Sequence, residues 1–302
     1  MIIDVHSHYY SPAIADALGR HGAIRPYACH PPLAERLEAL TSARVDRQIL
    51  SMGALMPYLP DKAKAAASAR EINDLHREAI EEHPGRFGAF GVLPLPHVGP
   101  SIEEIAHCLD ALRFEGIALG SGADGSPVDD DRFEGIWQEL NRRAAIVYLH
   151  PGVNNKCPLC NGVQYSPFIL DSSFGSPAEM GRCVVRLVLS GIVERFPRIR
   201  FVVANFGGLL TNAWPHVLHG VKLSGLPDIV GPIRKMWFDT GTLTMAQLVA
   251  ISASYGTDRL VLGSDAPYGK LVDTVQLIRS SPQLSSAEAE QILNRAAVEV
   301  FT

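Results

Sequence analysis

The sequence predicts a closed (β/α)8 barrel, and three observations lead to this fold class. First, eight short apolar segments alternate with amphipathic, helix-like segments along the 302 residues, a pattern typical of parallel sheets. Second, such a barrel needs about 250 residues, which fits the length of the chain. Third, the turn after the first apolar segment, HSHYYSP, contains no glycine, whereas an open doubly wound sheet ordinarily carries a glycine-rich phosphate turn there.

The candidate strands are short apolar runs, most of them bounded by turn residues. In chain order they cover residues 2–5, 48–52, 87–94, 116–120, 145–150, 200–205, 237–241 and 259–264. Several of the helix-like segments between them begin at a capping residue, as at Ser176, at Thr244 and at Ser285 or Ser286. We therefore expect eight strands that alternate with helices.

The whole chain is expected to form one barrel domain, residues 1–302, with irregular insertions at about 9–31 and 151–175. Hydrophobic residues make up 47% of the chain and charged residues 20%, as in a globular protein with a core. The five cysteines are an odd number and favour a reducing compartment over a disulfide scaffold. No signal-peptide pattern opens the chain, so we expect a cytoplasmic location.

Charge and hydropathy exclude two classes of partner. The net charge of −5 and the pI of about 6.1 provide no basic footprint for nucleic acid and no polybasic patch for a membrane surface. No run approaches the roughly 18 apolar residues that a membrane span requires. We expect the partner to be a small molecule.

Metal-capable side chains stand at the ends of three candidate strands, where the active site of a barrel lies. His6 and His8 are two positions apart in the first strand, so their side chains share a face, with Asp4 deeper on it. His150 ends the fifth strand and Asp265 follows the eighth. Three imidazoles and one carboxylate suit Zn²⁺ or a similar divalent transition metal, with an open position for water or substrate.

A lone histidine in a core strand is usually only a hydrogen-bonded core residue, so the metal interpretation rests on all four residues together. The other histidines have plainer interpretations. We expect solvated side chains beside surface helices at His76, His83, His97 and His107. Four more lie where their side chains could approach the site, in the early segment or on the helix after strand 6: His21, His30, His216 and His219.

Four sequence motifs carry a resemblance to a known family: IIDVHSH, YLHPG, the block from SPAEM to VVANFGG, and RLVLGSDAPYG. They resemble the amidohydrolase superfamily and, more narrowly, aminocarboxymuconate-semialdehyde decarboxylase and related aromatic-acid decarboxylases. The resemblance implies a (β/α)8 barrel, one divalent metal, usually zinc or manganese, and nonoxidative loss of CO2 from an aromatic or unsaturated acid. It also implies metal ligation by His6, His8, His150 and Asp265, and substrate carboxylate binding by Arg25 in IRPY.

The chain departs from this family after strand 6. Relatives typically read H-x-G-G there, with a histidine that assists proton transfer or activates water, whereas this chain reads ANFGG with Asn205 at that position. An amide has no titratable proton near neutral pH and cannot act as a general acid or base. Three explanations stay open: Asp265 carries the proton itself, His216 or His219 replaces the missing imidazole, or the reaction has changed.

Several further residues near the strand-end loops have both a functional and an ordinary interpretation. Cys157 and Cys160 form a single Cys-x-x-Cys, which can be a pair of plain loop cysteines, half of a metal site, or a redox pair. Asp239 can orient a metal ligand or cap the next helix. Four aromatic residues can stack on a planar substrate or simply pack: Tyr9, Tyr10, Phe174 and Trp214.

Three functional hypotheses follow. The leading one is metal-dependent decarboxylation, in which Arg25 holds an anionic group and Asp265 carries the proton. The second is metal-assisted hydrolysis of an amide, ester, lactone or C–C bond, with Asn205 orienting a substrate carbonyl. The third is a barrel that binds a small carboxylate or carbonyl compound without turnover. By analogy with the family, we expect a homodimer.

Overall fold

Eight parallel strands form one sheet whose order follows the chain. The computed structural model describes residues 1–23, 26, 28–152, 171–241 and 244–302. The eight barrel strands are β1 (Ile3–His8), β2 (Arg47–Ser51), β3 (Phe87–Gly91), β4 (Gly116–Gly120), β7 (Ile146–His150), β8 (Arg200–Val203), β9 (Trp237–Asp239) and β10 (Leu260–Val261). Between β4 and β7 the chain forms a separate antiparallel hairpin of β5 (Gly122–Ala123) and β6 (Ser126–Pro127). The predicted barrel is confirmed, and the hairpin is an addition that the sequence did not indicate.

The sheet closes through the segment that follows β10. The backbone N–H of His8 donates to the carbonyl of Ala266 at 2.7 Å, and that of Asp265 donates to the carbonyl of His6 at 2.9 Å. These bonds place Asp265 directly beside the two histidines of β1.

Helices surround the barrel in the described part of the chain. They are α1 (Pro12–His21), α2 (Arg36–Ala43), α3 (Lys62–Glu81), α4 (Val98–Ala106), α5 (Glu134–Arg142), α6 (Ser176–Leu189), α7 (Ile192–Arg195), α8 (Leu210–Leu223), α9 (Val230–Ile233), α10 (Met245–Tyr255), α11 (Leu271–Ser280), α12 (Ser286–Glu290) and α13 (Ala296–Phe301). None of the helices described here is both long and apolar enough to cross a membrane.

The early segment 9–31 is less irregular than the sequence predicts, because it contains α1. The hydroxyl of Ser11 accepts a hydrogen bond from the backbone of Ile14, and Pro12 occupies the first helical position. The helix ends at Gly22, whose φ of 81° is left-handed. At ten residues, α1 is too short for its apolar spacing to stand out in the sequence.

Two of the predicted helix starts are N-caps. Thr244 and Ser285 each form a capping box, with Gln247 and Glu288 respectively. Ser176 is instead the first residue of α6. The strands between these helices are almost wholly buried, as expected when helices cover the outer face of a parallel sheet. Polar side chains are therefore conspicuous at the carboxyl end of the barrel.

Candidate metal centre

Three imidazole rings meet at the carboxyl end of the barrel. His6 and His8 lie on β1, and His150 ends β7; all three are buried. Each ring offers one nitrogen, and these nitrogens lie within 4.8 Å of one another. The Nε2 atoms of His6 and His8 are 3.2 Å apart. The two-residue spacing in β1 thus brings both rings to one point, as the sequence predicts.

A carboxylate joins the three rings. Oδ1 of Asp265 is 2.8 Å from Nε2 of His8 and 3.1 Å from Nε2 of His6. The backbone of Asp265 is left-handed, with φ 59°, a conformation that aspartate adopts more readily than most residues. The structure therefore assembles the predicted set of three nitrogens and one oxygen.

Asp239 orients His6 from behind. Its carboxylate lies 3.1 Å from Nδ1 of His6 and accepts hydrogen bonds from the Tyr148 hydroxyl at 3.0 Å and the Gly241 backbone at 2.9 Å. Of the two roles that the sequence left open for Asp239, orientation is the one observed, since Thr244 caps the next helix. A carboxylate in this position directs the Nε2 lone pair of His6 toward the cluster.

The cluster fits a divalent cation. Nδ1 of His6 faces Asp239, and Nδ1 of His150 donates to the Pro151 carbonyl at 2.8 Å. Both rings are thus assigned a lone pair on Nε2. Buried lone pairs that converge with a carboxylate repel one another unless a proton or a metal ion lies between them. This donor set suits Zn²⁺, and imidazole and carboxylate also serve Mn²⁺.

The charges of the cluster are strongly coupled. Burial opposes a charge on His6, but Asp239 and Asp265 outweigh it and raise the pKa of His6 well above its usual range. Burial likewise opposes ionisation of Asp265, yet His6 and His8 lower its pKa far below the usual range. Burial and the two neighbouring imidazoles lower the pKa of His150. A metal ion would therefore compete with one proton held near His6.

Asp4 is a structural neighbour of the cluster. One oxygen of its buried carboxylate accepts from the Ser264 hydroxyl at 2.6 Å and from Nε2 of Gln48 at 2.7 Å; the other accepts from the Ser264 backbone at 2.9 Å. These bonds engage both oxygens and join β1, β2 and the segment after β10 beneath the histidines.

Asn205 lies beside the cluster, where the resemblance places a histidine. Its φ of 49° is left-handed, a region in which both asparagine and histidine are enriched. Its backbone donates to Asp239 at 3.0 Å, and its Oδ1 is buried without a partner among the described residues. A Cβ added to Gly241 would lie 2.4 Å from this Oδ1 and 2.7 Å from Nδ1 of His6, so only glycine fits there.

Two residues that the sequence did not single out also contact His8. A Cβ on Gly53 would lie 1.9 Å from Cε1 of His8. The ring of Tyr268 lies 5.4 Å from the His8 ring and is 65% exposed. The position of Tyr268, three residues after Asp265, was a usable signal, whereas Gly53 is one of many loop glycines and gave none.

Other candidate residues lie elsewhere. Phe174 is 64% exposed, in the π-helical segment Asp171–Gly175 that precedes α6. The Trp214 ring packs against Tyr255 at 5.5 Å. His216 and His219 are exposed on α8. Arg25, Cys157 and Cys160 lie outside the described residues.

The expectation for His76 was wrong. Its ring is fully buried on α3, where Nε2 donates to the Tyr9 carbonyl at 3.1 Å. The helix turns this face toward the barrel, and the hydrogen bond offsets part of the cost of burying an imidazole.

Comparison with known proteins gives a consistent set of relatives. The family model described as amidohydrolase matches residues 3–302. A 6-methylsalicylic acid decarboxylase from Penicillium expansum is 28% identical, over 99% of this chain and 95% of its own length. A 2-amino-3-carboxymuconate-6-semialdehyde decarboxylase from Dictyostelium discoideum is 28% identical, over 87% of this chain and 75% of its own. Among solved structures, a dihydroxybenzoic acid decarboxylase from Polaromonas sp. JS666, with bound manganese and the inhibitor 2-nitroresorcinol, has a TM-score of 0.84 at 19% identity, covering 99% of this chain and 96% of its own.

Proposed function

The chain belongs to the amidohydrolase family, and we propose that it catalyses the metal-dependent, nonoxidative decarboxylation of an aromatic or unsaturated carboxylic acid. The observation that carries this proposal is the convergence of His6, His8, His150 and Asp265 on one buried point. The two relatives described above, both decarboxylases of unsaturated carboxylic acids by name, support the same reaction.

The three histidines and Asp265 would hold one divalent ion. When bound, the ion supplies a Lewis acid and a fixed point for a substrate carboxylate or adjacent oxygen. Asp239 and the Pro151 carbonyl keep the rings of His6 and His150 aimed at that point. The protein's own contribution is thus a set of buried, oriented side chains that fixes the position of the ion and, through it, of the substrate acid.

Asp265 is the best placed proton carrier. The reaction replaces the bond to the carboxylate carbon by a C–H bond, so each CO2 released consumes one proton at the ring or alkene carbon. The carboxylate of Asp265 contacts two ligand histidines and retains some exposure to the site. Asn205 cannot serve because an amide does not titrate in this range, and His216 and His219 are exposed on α8.

Two residues are proposed to contact the substrate, one from the sequence resemblance and one from its position in the structure. Arg25 is proposed to hold an anionic group of the substrate, on the strength of the sequence resemblance. Tyr268 borders His8 and presents an exposed ring, which can cover a planar substrate. Phe174 and Trp214 stay predictions from sequence, since their described surroundings place neither against the cluster.

Metal-assisted hydrolysis is the alternative favoured by one observation. Oδ1 of Asn205 is buried without a partner among the described residues, and an amide beside the cluster can orient a substrate carbonyl while Asp265 takes a proton from water. A binding barrel without turnover is the third candidate.

The deciding experiment offers the metal-loaded protein a panel of hydroxybenzoic, methylsalicylic and muconate-like acids, together with their methyl esters, in ¹⁸O water. We expect CO2 release with no label in the organic product. Label in the product without CO2 would establish hydrolysis. Binding without either would leave the non-catalytic protein.

Metal content is the first quantity to measure, by mass spectrometry on protein purified without added metal. We propose one zinc per chain, with manganese as the alternative. Asp265→Ala should lose it, and a further equivalent that survives this substitution would implicate Cys157 and Cys160. We also propose a cytoplasmic homodimer, to be tested by light scattering and by fractionation of the source cells.

A further inference from the structure

A fourth histidine stands one ring away from the metal centre. The rings of His8, Tyr10, His30 and Tyr268 follow one another in a closed circuit, with centroid separations of 6.2, 4.5, 5.7 and 5.4 Å. His30 is the member of this circuit that is neither a metal ligand nor a tyrosine. It lies in the segment after α1, and 9% of its surface is exposed.

The inner face of His30 is fixed by backbone groups. Its Nδ1 lies 3.2 Å from the backbone nitrogen of Tyr10 and 3.1 Å from the carbonyl oxygen of His8. That carbonyl already accepts from the Arg36 guanidinium at 2.5 Å, whereas no other acceptor is described for the Tyr10 N–H. A buried N–H needs an acceptor, so Nδ1 is assigned as the acceptor and the proton as carried by Nε2.

The outer nitrogen of His30 has no partner among the residues that the structure describes. An imidazole whose Nδ1 accepts a hydrogen bond carries its single proton on Nε2 and is neutral. A neutral imidazole with Nε2–H on its outer side is a hydrogen-bond donor without an acceptor. The residue as a whole is nine-tenths buried and its ring packs between Tyr10 and Tyr268, so a donor on Nε2 lies next to the aromatic rings that border His8.

We propose that His30 is a substrate-binding residue whose Nε2–H donates a hydrogen bond to an oxygen on a second substituent of the substrate ring. The inference rests on the proposed function, because the metal centre takes the reacting carboxylate and leaves His30 to contact a different part of the molecule. Tyr10 and Tyr268 flank the donor and leave an aromatic surface between it and His8. The site would then favour ring acids that carry a second oxygen substituent.

The test compares benzoate with benzene-1,3-dicarboxylate and benzene-1,4-dicarboxylate, titrated calorimetrically into metal-loaded protein. Wild type should bind one dicarboxylate about tenfold or more tighter than benzoate, the effect of one hydrogen bond to a charged group. His30→Asn should reduce the preference to about twofold or less, because its amide oxygen can still accept from Tyr10 while the outer donor is lost. His30→Phe keeps the ring and should lose the preference too.

Metal content and thermal midpoint are measured for every variant, and His107→Asn is the matched control that should keep the preference, because the His107 side chain is 20% exposed and contacts Asp74. Equal binding of all probes by wild type, or a preference that survives both His30 substitutions, would overturn the inference. Release of CO2 from the acid panel is followed in parallel. If the dicarboxylate preference depends on His30 but no CO2 is released, only the proposed decarboxylase activity is contradicted. If CO2 is released but the preference does not depend on His30, only this inference is contradicted.

Discussion

Each of the three histidines proposed as metal ligands is held by a different kind of contact. His6 is oriented by the Asp239 carboxylate and His150 by the Pro151 carbonyl, but Nδ1 of His8 has no hydrogen-bond partner in the described part of the chain. Packing must therefore fix the His8 ring, and the backbone of Gly53 lies against it, since a Cβ there would be 1.9 Å from Cε1 of His8. Of the three proposed ligands, His8 is for this reason the one most sensitive to a change in the shape of its surroundings.

Gly53→Ala should weaken metal binding by about tenfold or more, the usual consequence of disturbing a ligand's support. The added methyl would lie 1.9 Å from Cε1 of His8, and the φ of 49° at this position is itself unfavourable for alanine. Competition with a chromophoric chelator measures the affinity. Gly99→Ala is the matched control, because a Cβ there meets nothing within 4 Å. An unchanged affinity in Gly53→Ala would show that His8 has another support.

Asn205→His should raise CO2 release by about tenfold or more at unchanged metal content, since a positioned general acid or base is typically worth about 10²–10⁴ in rate. The left-handed backbone at this position tolerates histidine. Steady-state CO2 assays on both proteins measure the effect. A fall in activity, with metal still bound, would mean that the amide itself has a role in the native reaction.

At the scale of strands and helices, the sequence predicted the elements well and their buried faces less well. The two-residue spacing of His6 and His8 fixed their common face because the strand repeat is rigid. The sequence could not decide the role of Asp239, because an aspartate after a strand can either orient a metal ligand or cap the next helix. His76 was misjudged because the helical spacing of α3 does not reveal that Tyr9 offers its carbonyl to an imidazole.

The buried His76 of α3 should make stability depend on pH. Burial lowers its pKa to about 4, against about 6.5 in the unfolded chain. The unfolded state therefore binds more protons between these values, so stability falls as the pH drops from about 6.5 to 4. His76→Gln removes this titration, and wild type should lose up to about 3 kcal/mol relative to it over that range.

Urea unfolding of metal-free wild type and His76→Gln at pH 7, 5 and 4 provides the comparison, because other titrating groups cancel in the difference. Glutamine retains a donor for the Tyr9 carbonyl, which limits the loss of stability at pH 7. A difference between the two proteins that does not vary with pH would show that His76 has the same pKa in the folded and the unfolded state.

At the scale of the whole molecule, closure of the barrel brings β1 and the segment after β10 together and so assembles the site from residues far apart in the sequence. His8 and Asp265 are 257 positions apart, yet their side chains are 2.8 Å from each other. The count of eight strands predicted that the ends meet. It did not predict that Asp4 would join β1, β2 and Ser264 below the cluster, because pairing across the closure depends on the register of the final strand.

A metal ion at this closure should stabilise the entire barrel, because its ligands come from β1, β7 and the segment after β10 and converge only in the folded state. Free metal at about 1,000 times its dissociation constant would add about 4 kcal/mol. For a chain of this size that corresponds to roughly 10 °C in thermal midpoint. Differential scanning calorimetry with zinc and with a chelator should show this gap in wild type and in Gly99→Ala. Asp265→Ala should nearly abolish it, and a gap that survived there would mean that the stabilising ion binds elsewhere.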